Sequence, residues 1–117
     1  MTDLIVMLTS GKGTWAEVSR LIKQENWGHV YLICTDFGKE KFTCDKPSSF
    51  IVINSFSSPN DIKNTIVSQL KGKLSLDVGV NMTSGTGNEH MALLSALLEV
   101  GVGIRLVVPG EISVREV

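Results

Sequence analysis

Short apolar runs separated by helix-patterned stretches constrain this chain more than any other feature. Leu4–Leu8, His29–Cys34, Phe50–Asn54, Asp77–Met82, Ile104–Val108 and Ile112–Val117 all have the length of strands. The segments between the first five are long enough for crossovers, so those strands run mainly parallel. Only three residues, beginning with a Pro109-Gly110 turn, separate the last two, which makes them an antiparallel hairpin. The expected fold is α/β: a Rossmann-like, mainly parallel sheet flanked by helices, with a C-terminal β-hairpin. The 117 residues are read as a single domain, 1–117.

The crossovers carry recognisable helix signals. Thr14-Trp15-Ala16-Glu17 matches a capping box, and Trp15, Val18, Leu21 and Ile22 recur at helical spacing to about Gln24. Ser58-Pro59-Asn60-Asp61 starts a second helix with a Ser cap, a first-turn Pro and an acid near the positive dipole end. Ile62, Ile66, Val67 and Leu70 are its stripe, and Lys71-Gly72-Lys73 stops it. A third helix spans about Asn88 to Val100. Asp36 to Ser49, with Gly38 and Pro47, reads as a loop.

That third helix is apolar on most faces across Met91–Leu98, and a helix of this kind must be buried all round. The sheet covers one face. A second subunit is expected on another, through Met91, Ala92, Ser95 and Leu98, and Ala92 with Ala96 allows close packing. The expected assembly is a homodimer.

Charge and cysteine usage narrow the partners. Eleven Lys and Arg against twelve Asp and Glu leave a net charge of -1. Duplex nucleic acid demands a basic face, so no duplex partner is expected, and any anionic ligand is held locally. Cys34 sits in an apolar strand and reads as a reduced core thiol, whereas Cys44 lies in a polar stretch. Neither belongs to a metal-ligand set, so no metal and no cofactor is expected. The N-terminal stretch lacks a cationic signal region and no segment has the length of a membrane span; a cytoplasmic location and no membrane partner follow as expectations.

Two loops carry ligand-binding composition. Thr9, Ser10, Gly11 and Lys12 follow the first strand, and Thr83, Ser84, Gly85, Thr86, Gly87 and Asn88 follow the fourth. Both combine glycines with hydroxyls and lead into a helix N-terminus, whose amides favour anions. In an open parallel sheet, ligands bind beyond the carboxyl ends of strands. Sharper motifs fail. Gly11-Lys12-Gly13-Thr14 imitates the end of a P-loop, but Val6 stands where its first glycine belongs. Gly85-Thr86-Gly87 opens a dinucleotide fingerprint that His90 breaks. Glu89 and His90 read as first-turn residues, and His29 as structural. No carboxylate pair or Ser/His/Asp set assembles.

The stretch Asp77-Val78-Gly79-Val80-Asn81-Met82-Thr83-Ser84-Gly85-Thr86-Gly87, followed by Met91-Ala92-Leu93-Leu94, resembles the strand–loop–helix signature of CARF domains, the CRISPR-associated Rossmann-fold sensors. Thr9-Ser10-Gly11-Lys12 is similar to their other ligand loop. The sequence departs from the family at Ser84, where Gly is frequent, and at Gly87, where Lys is usual. The resemblance implies a stand-alone homodimer binding a cyclic oligoadenylate across its two-fold axis. Such a protein would act in type III CRISPR signalling as a sensor, a sequestering protein or a slow metal-independent ring nuclease. A sensor form implies a separate effector protein. Ser10 and Lys12 are the catalytic candidates if the ring is cleaved. Two other classes stay open: a Rossmann-like binder or enzyme for a mononucleotide or phosphorylated metabolite, and a structural subunit.

Overall fold

The computed structural model describes residues 2–9 and 12–117, with Lys12 described for its backbone alone. The described chain runs β1 (Asp3–Leu8), α1 (Lys12–Gln24), β2 (Val30–Cys34), α2 (Asp36–Lys41), β3 (Ser48–Val52), α3 (Pro59–Leu70), β4 (Asp77–Asn81), α4 (Gly87–Val100), β5 (Gly103–Pro109) and β6 (Val114–Glu116). The strands form one six-stranded sheet in the order β3-β2-β1-β4-β5-β6. All neighbours are parallel except β5 and β6, as the alternation requires. The strand order reverses between β1 and β4, the place where open parallel sheets of this kind take their ligands.

The central strands read as unbroken apolar runs because both sheet faces are covered. Ile5, Met7, Ile33, Val78 and Val80 pack with Ile62, Ile66 and Leu70 of α3 and Leu93, Ala96 and Leu97 of α4. Leu4, Val6, Leu8, Leu32 and Cys34 pack with Val18, Leu21 and Ile22 of α1 and with Trp27. The α3–α4 seam is closed by a 2.8 Å ion pair between Lys63 and Glu99. No helix among the described residues is long and apolar enough to cross a membrane.

Several local expectations need correction. Asp36–Ser49 is not a plain loop: it holds α2 and the start of β3. Gly38 explains the miss. It weakens helix propensity, yet α2 lies so close to the sheet that a Cβ there would meet Cys34 Cβ at 2.9 Å and Leu8 O at 3.2 Å. Packing overrides propensity at this point. The proposed capping box at Thr14 and Glu17 is absent because α1 is already helical from Lys12, so Thr14 lacks the extended backbone of a cap. Strand β3 begins two residues early, at Ser48, and Ile53 beyond its end is still tied to Cys34 O by its amide at 2.8 Å. The hairpin loop is Gly110–Ser113 instead of Pro109-Gly110, closed by Gly110 N–H donating to Ser113 O at 3.1 Å. Ile112 therefore lies in that loop and not in a strand.

Helix α3 begins as expected, with Ser58 Oγ accepting from Asp61 N and Pro59 in the first turn. Ala92 and Ala96 do provide close packing, but inside the chain, where both are buried; Ala92 is not on an exposed face. Met91 and Leu98 are the large apolar α4 positions left in solvent, 60% and 73% exposed, and Ser95 between them is exposed as well.

Cys34 is fully buried, and that burial pushes its thiol up to about 11, against the opposing pull of the Lys39 charge. The folded chain thus holds this proton after an unfolded thiol, near pH 8.5, has lost it. Stability should be intact below about pH 8.5 and should fall as pH rises towards about 11. Urea midpoints measured across that window should decline less in a Cys34→Ala variant than in the parent chain. Identical declines would contradict the assignment.

Candidate functional site

The site is built on the β1–β4 pair. Val6 lies opposite Asn81, so Thr9 and Ser84 stand the same number of residues beyond that row. Two segments leaving adjacent parallel strands in step can bond to each other. Thr9 N–H donates to Ser84 Oγ at 3.1 Å, and Thr9 Oγ1 donates to Glu89 Oε1 at 2.6 Å. The same carboxylate oxygen accepts from Thr86 N at 2.9 Å, while Thr86 Oγ1 accepts from Glu89 N at 3.3 Å. This is a reciprocal capping box on α4, with Glu89 also reaching across to the first loop.

The arrangement buries a carboxylate. Glu89 is 1% exposed, and a buried carboxylate is tolerable only when charge-assisted hydrogen bonds replace its water. Gly85 makes room for it. Its φ of 106° is a left-handed conformation that suits glycine, and a Cβ there would meet His90 Nε2 at 3.0 Å, Glu89 Oε1 at 3.1 Å and Thr9 Oγ1 at 3.2 Å. His90 Nε2 lies 2.8 Å from Ser84 O. A carbonyl only accepts, so Nε2 carries the proton and Nδ1 is the acceptor of the neutral ring. Asn81 sets the loop's departure: Nδ2 donates to Val107 O at 2.9 Å and Oδ1 accepts from Thr83 N at 3.2 Å.

The candidate residues therefore divide by position. Thr9, Ser84, Gly85 and Thr86 meet in one hydrogen-bonded knot. Ser84 is buried in it, so its hydroxyl serves the scaffold. Thr83, Gly87 and Asn88 are exposed at the β4–α4 edge. Among the described residues, no acceptor is assigned to the amides of Gly87 and Asn88, the first two positions of α4. Ser10, Gly11 and the Lys12 side chain lie outside the described residues. Glu89, His90 and Asn81 form the architecture around these groups, and the candidate set omits them. The T-x-x-E spacing of Thr86 and Glu89 is a capping-box signal by which Glu89 is legible.

Electrostatics limit what this edge can do. The Glu89 carboxylate occupies part of the positive end of α4, so a phosphate there meets Gly87 and Asn88 amides beside a buried negative charge. The remaining cation of the two loops is Lys12. A separate cavity of about 350 Å3, lined in part by Glu25, Trp27, Gly79, Arg105 and Glu116, lies between the end of α1 and the β4–β5–β6 surface. It is on the sheet's flank and shares no residue with the two loops.

Replacing Glu89 with Ala removes the acceptor of Thr9 Oγ1 and Thr86 N together. The loss should be about 2 kcal/mol or more in urea unfolding, combining a lost cap with buried groups left unpaired. Glu89→Gln keeps an acceptor oxygen and should lose less. Equal stability of the Ala variant and the parent would show that the knot is not holding the loops.

No protein-family model and no curated protein matches the chain. The geometry of the β1–β4 edge is therefore what bears on function.

Proposed function

We propose that this protein binds a cyclic oligoadenylate at the C-terminal edge of β1 and β4, across the two-fold axis of a homodimer. The observation that carries the reading is the bonding of the two loops to each other. They form one continuous edge at the point where strand order reverses, the usual ligand crevice of this architecture. The resemblance of residues 77–94 to the CARF signature supplies the ligand class. The exposed apolar side of α4 supports the dimer. Helix α4 starts at the crevice, and Met91 and Leu98 on its outer side are apolar and exposed. Pairing along that side sets two crevices next to each other, as a ring with repeated phosphates requires.

The reading is of binding in preference to rapid ring opening. Gly87 stands where a cation is usual, and losing one such transition-state contact costs on the order of a hundredfold in rate. The Thr9 hydroxyl and the Glu89 carboxylate are engaged with each other. Ser10 and Lys12 are left to carry slow, metal-independent cleavage. The protein acts in this reading as a sensor with a separate effector, or as a sequestering protein.

One observation favours a mononucleotide or phosphorylated metabolite instead. Asp36 lies two residues beyond β2, close to where nucleotide-binding folds keep an acid, and Gly11, Gly13 and Ala16 have fingerprint spacing. Ala16 is exposed, however, and Val18, Leu21 and Ile22 make the contact with the sheet. The helix is not phased as that fingerprint demands.

Cyclic tri-, tetra- or hexa-adenylate should raise the melting temperature more than AMP, ATP or NAD, with one ring bound per two chains. Lys12→Ala should weaken ring binding about tenfold or more, the loss of one charge-assisted contact worth roughly 1.5–3 kcal/mol. No shift with any ring, or one small nucleotide per chain, would reject the reading. Light scattering should show a dimer that Leu98→Glu converts to a folded monomer; a monomeric parent chain at micromolar concentration would reject the symmetric pocket.

A further inference from the structure

We infer that the open cavity at the C-terminal ends of β2 and β3 is a nucleobase subsite, in which Phe56 stacks against an adenine of the ligand. This rests on the nucleotide reading above and extends it by giving the base its own place. The cavity measures about 760 Å3, and its walls include Thr35, Asp36, Phe37, Asn54, Ser55 and Phe56.

Phe56 is 98% exposed, yet it is held on an ordered turn. Its amide donates to Asn54 Oδ1 at 2.9 Å, and the Ser57 amide donates to Asn54 O at 3.0 Å. Single exposed apolar residues are ordinary. This one borders a cavity whose wall holds a second aromatic, Phe37, itself 46% exposed. Phe37 is anchored by Trp15, with ring centroids 5.8 Å apart, and by its neighbour Gly38 pressed on the ends of β1 and β2. Two aromatic residues at the border of an open cavity, one anchored by its ring and one by its backbone, suit a flat ligand group, because every nucleobase offers a π-face.

Register identifies which part of a nucleotide arrives there. Leu8, Cys34 and Val52 lie side by side across β1, β2 and β3. Thr9, Thr35 and Ile53 form the next row. Strands are about 4.8 Å apart, so the cavity begins roughly 5 to 10 Å from Thr9 and its tie to α4. A single nucleotide bridges such a span, with phosphate at the β1–β4 edge and base over β2 and β3. The lining favours this orientation: among the described residues it contains the Asp36 carboxylate and no cation. A carboxylate repels phosphate but accepts from an exocyclic amine, and the Asn54 amide and the Thr35 and Ser55 hydroxyls suit the remaining base edge.

Adenosine, which carries no phosphate, tests the subsite separately from the ring. Titrated into the full chain, it should shift the NMR resonances of Thr35, Asn54 and Phe56. Phe56→Ala should weaken both adenosine and cyclic tetra-adenylate about tenfold or more, Phe56→Trp should restore them, and ribose 5-phosphate should bind both variants as it binds the parent. Adenosine that shifts nothing, shifts residues elsewhere, or ignores Phe56→Ala overturns the inference. If cyclic tetra-adenylate binds tightly but ignores Phe56→Ala, the subsite fails and the ring reading stands. If adenosine depends on Phe56 while the ring binds no tighter than adenosine, the subsite stands and the ring reading fails.

Discussion

One buried carboxylate organises the β1–β4 edge of this protein. Glu89 caps its own helix and, through the same oxygen, accepts the Thr9 hydroxyl from the neighbouring loop. A charge in that position is tolerated only while its hydrogen bonds are intact, so the two loops are held in a single relative position. The cross-tie also determines which groups face outward. Ser84, Thr86 and Glu89 are used for support, and Gly87, Asn88 and Thr83 are left exposed to solvent. A loop rich in hydroxyls is thus partly a scaffold, and its composition alone overstates how many groups a ligand meets.

The same tie sets the phase of α4. With Thr86 as cap and Glu89 fixed beneath Gly85, the helix turns Ala92, Leu93, Ala96 and Leu97 into the chain and leaves Met91 and Leu98 outside. Capping therefore connects to assembly. The residues that order the β1–β4 edge also orient the apolar positions proposed as the dimer contact, so one helix links the proposed binding edge to the proposed interface. A change at Glu89 or Gly85 should be felt at both.

How much of this is legible in the sequence depends on whether local pattern or tertiary contact decides each point. The strands and their parallel order follow from apolar runs separated by crossovers, and α3 follows from Ser58-Pro59 at its start. The sequence offers two T-x-x-E matches, at Thr14 and at Thr86, and only the second is a capping box. What separates them is where the preceding backbone becomes helical, which the spacing does not encode. Helix α2 is hidden because Gly38 looks like a loop residue until Cys34 and Leu8 are seen pressed against it. The two Gly- and hydroxyl-rich loops are marked by composition, but their mutual bonding is not, because Thr9 and Glu89 are 80 residues apart in the chain. Nothing in the pattern around Phe56 marks it, since its significance comes from the register of β1, β2 and β3.

The central claim is that a cyclic oligoadenylate occupies the β1–β4 edge without disturbing the knot beneath it. A crystal structure of the protein with cyclic tetra-adenylate tests this most directly. The account predicts one ring on the two-fold axis of a dimer, phosphates near the Gly87 and Asn88 amides, and Glu89 still bonded to Thr9 and Thr86. A ring seated in the flank cavity beside Trp27 and Arg105, or a Glu89 side chain displaced from Thr9 to admit it, would contradict the account.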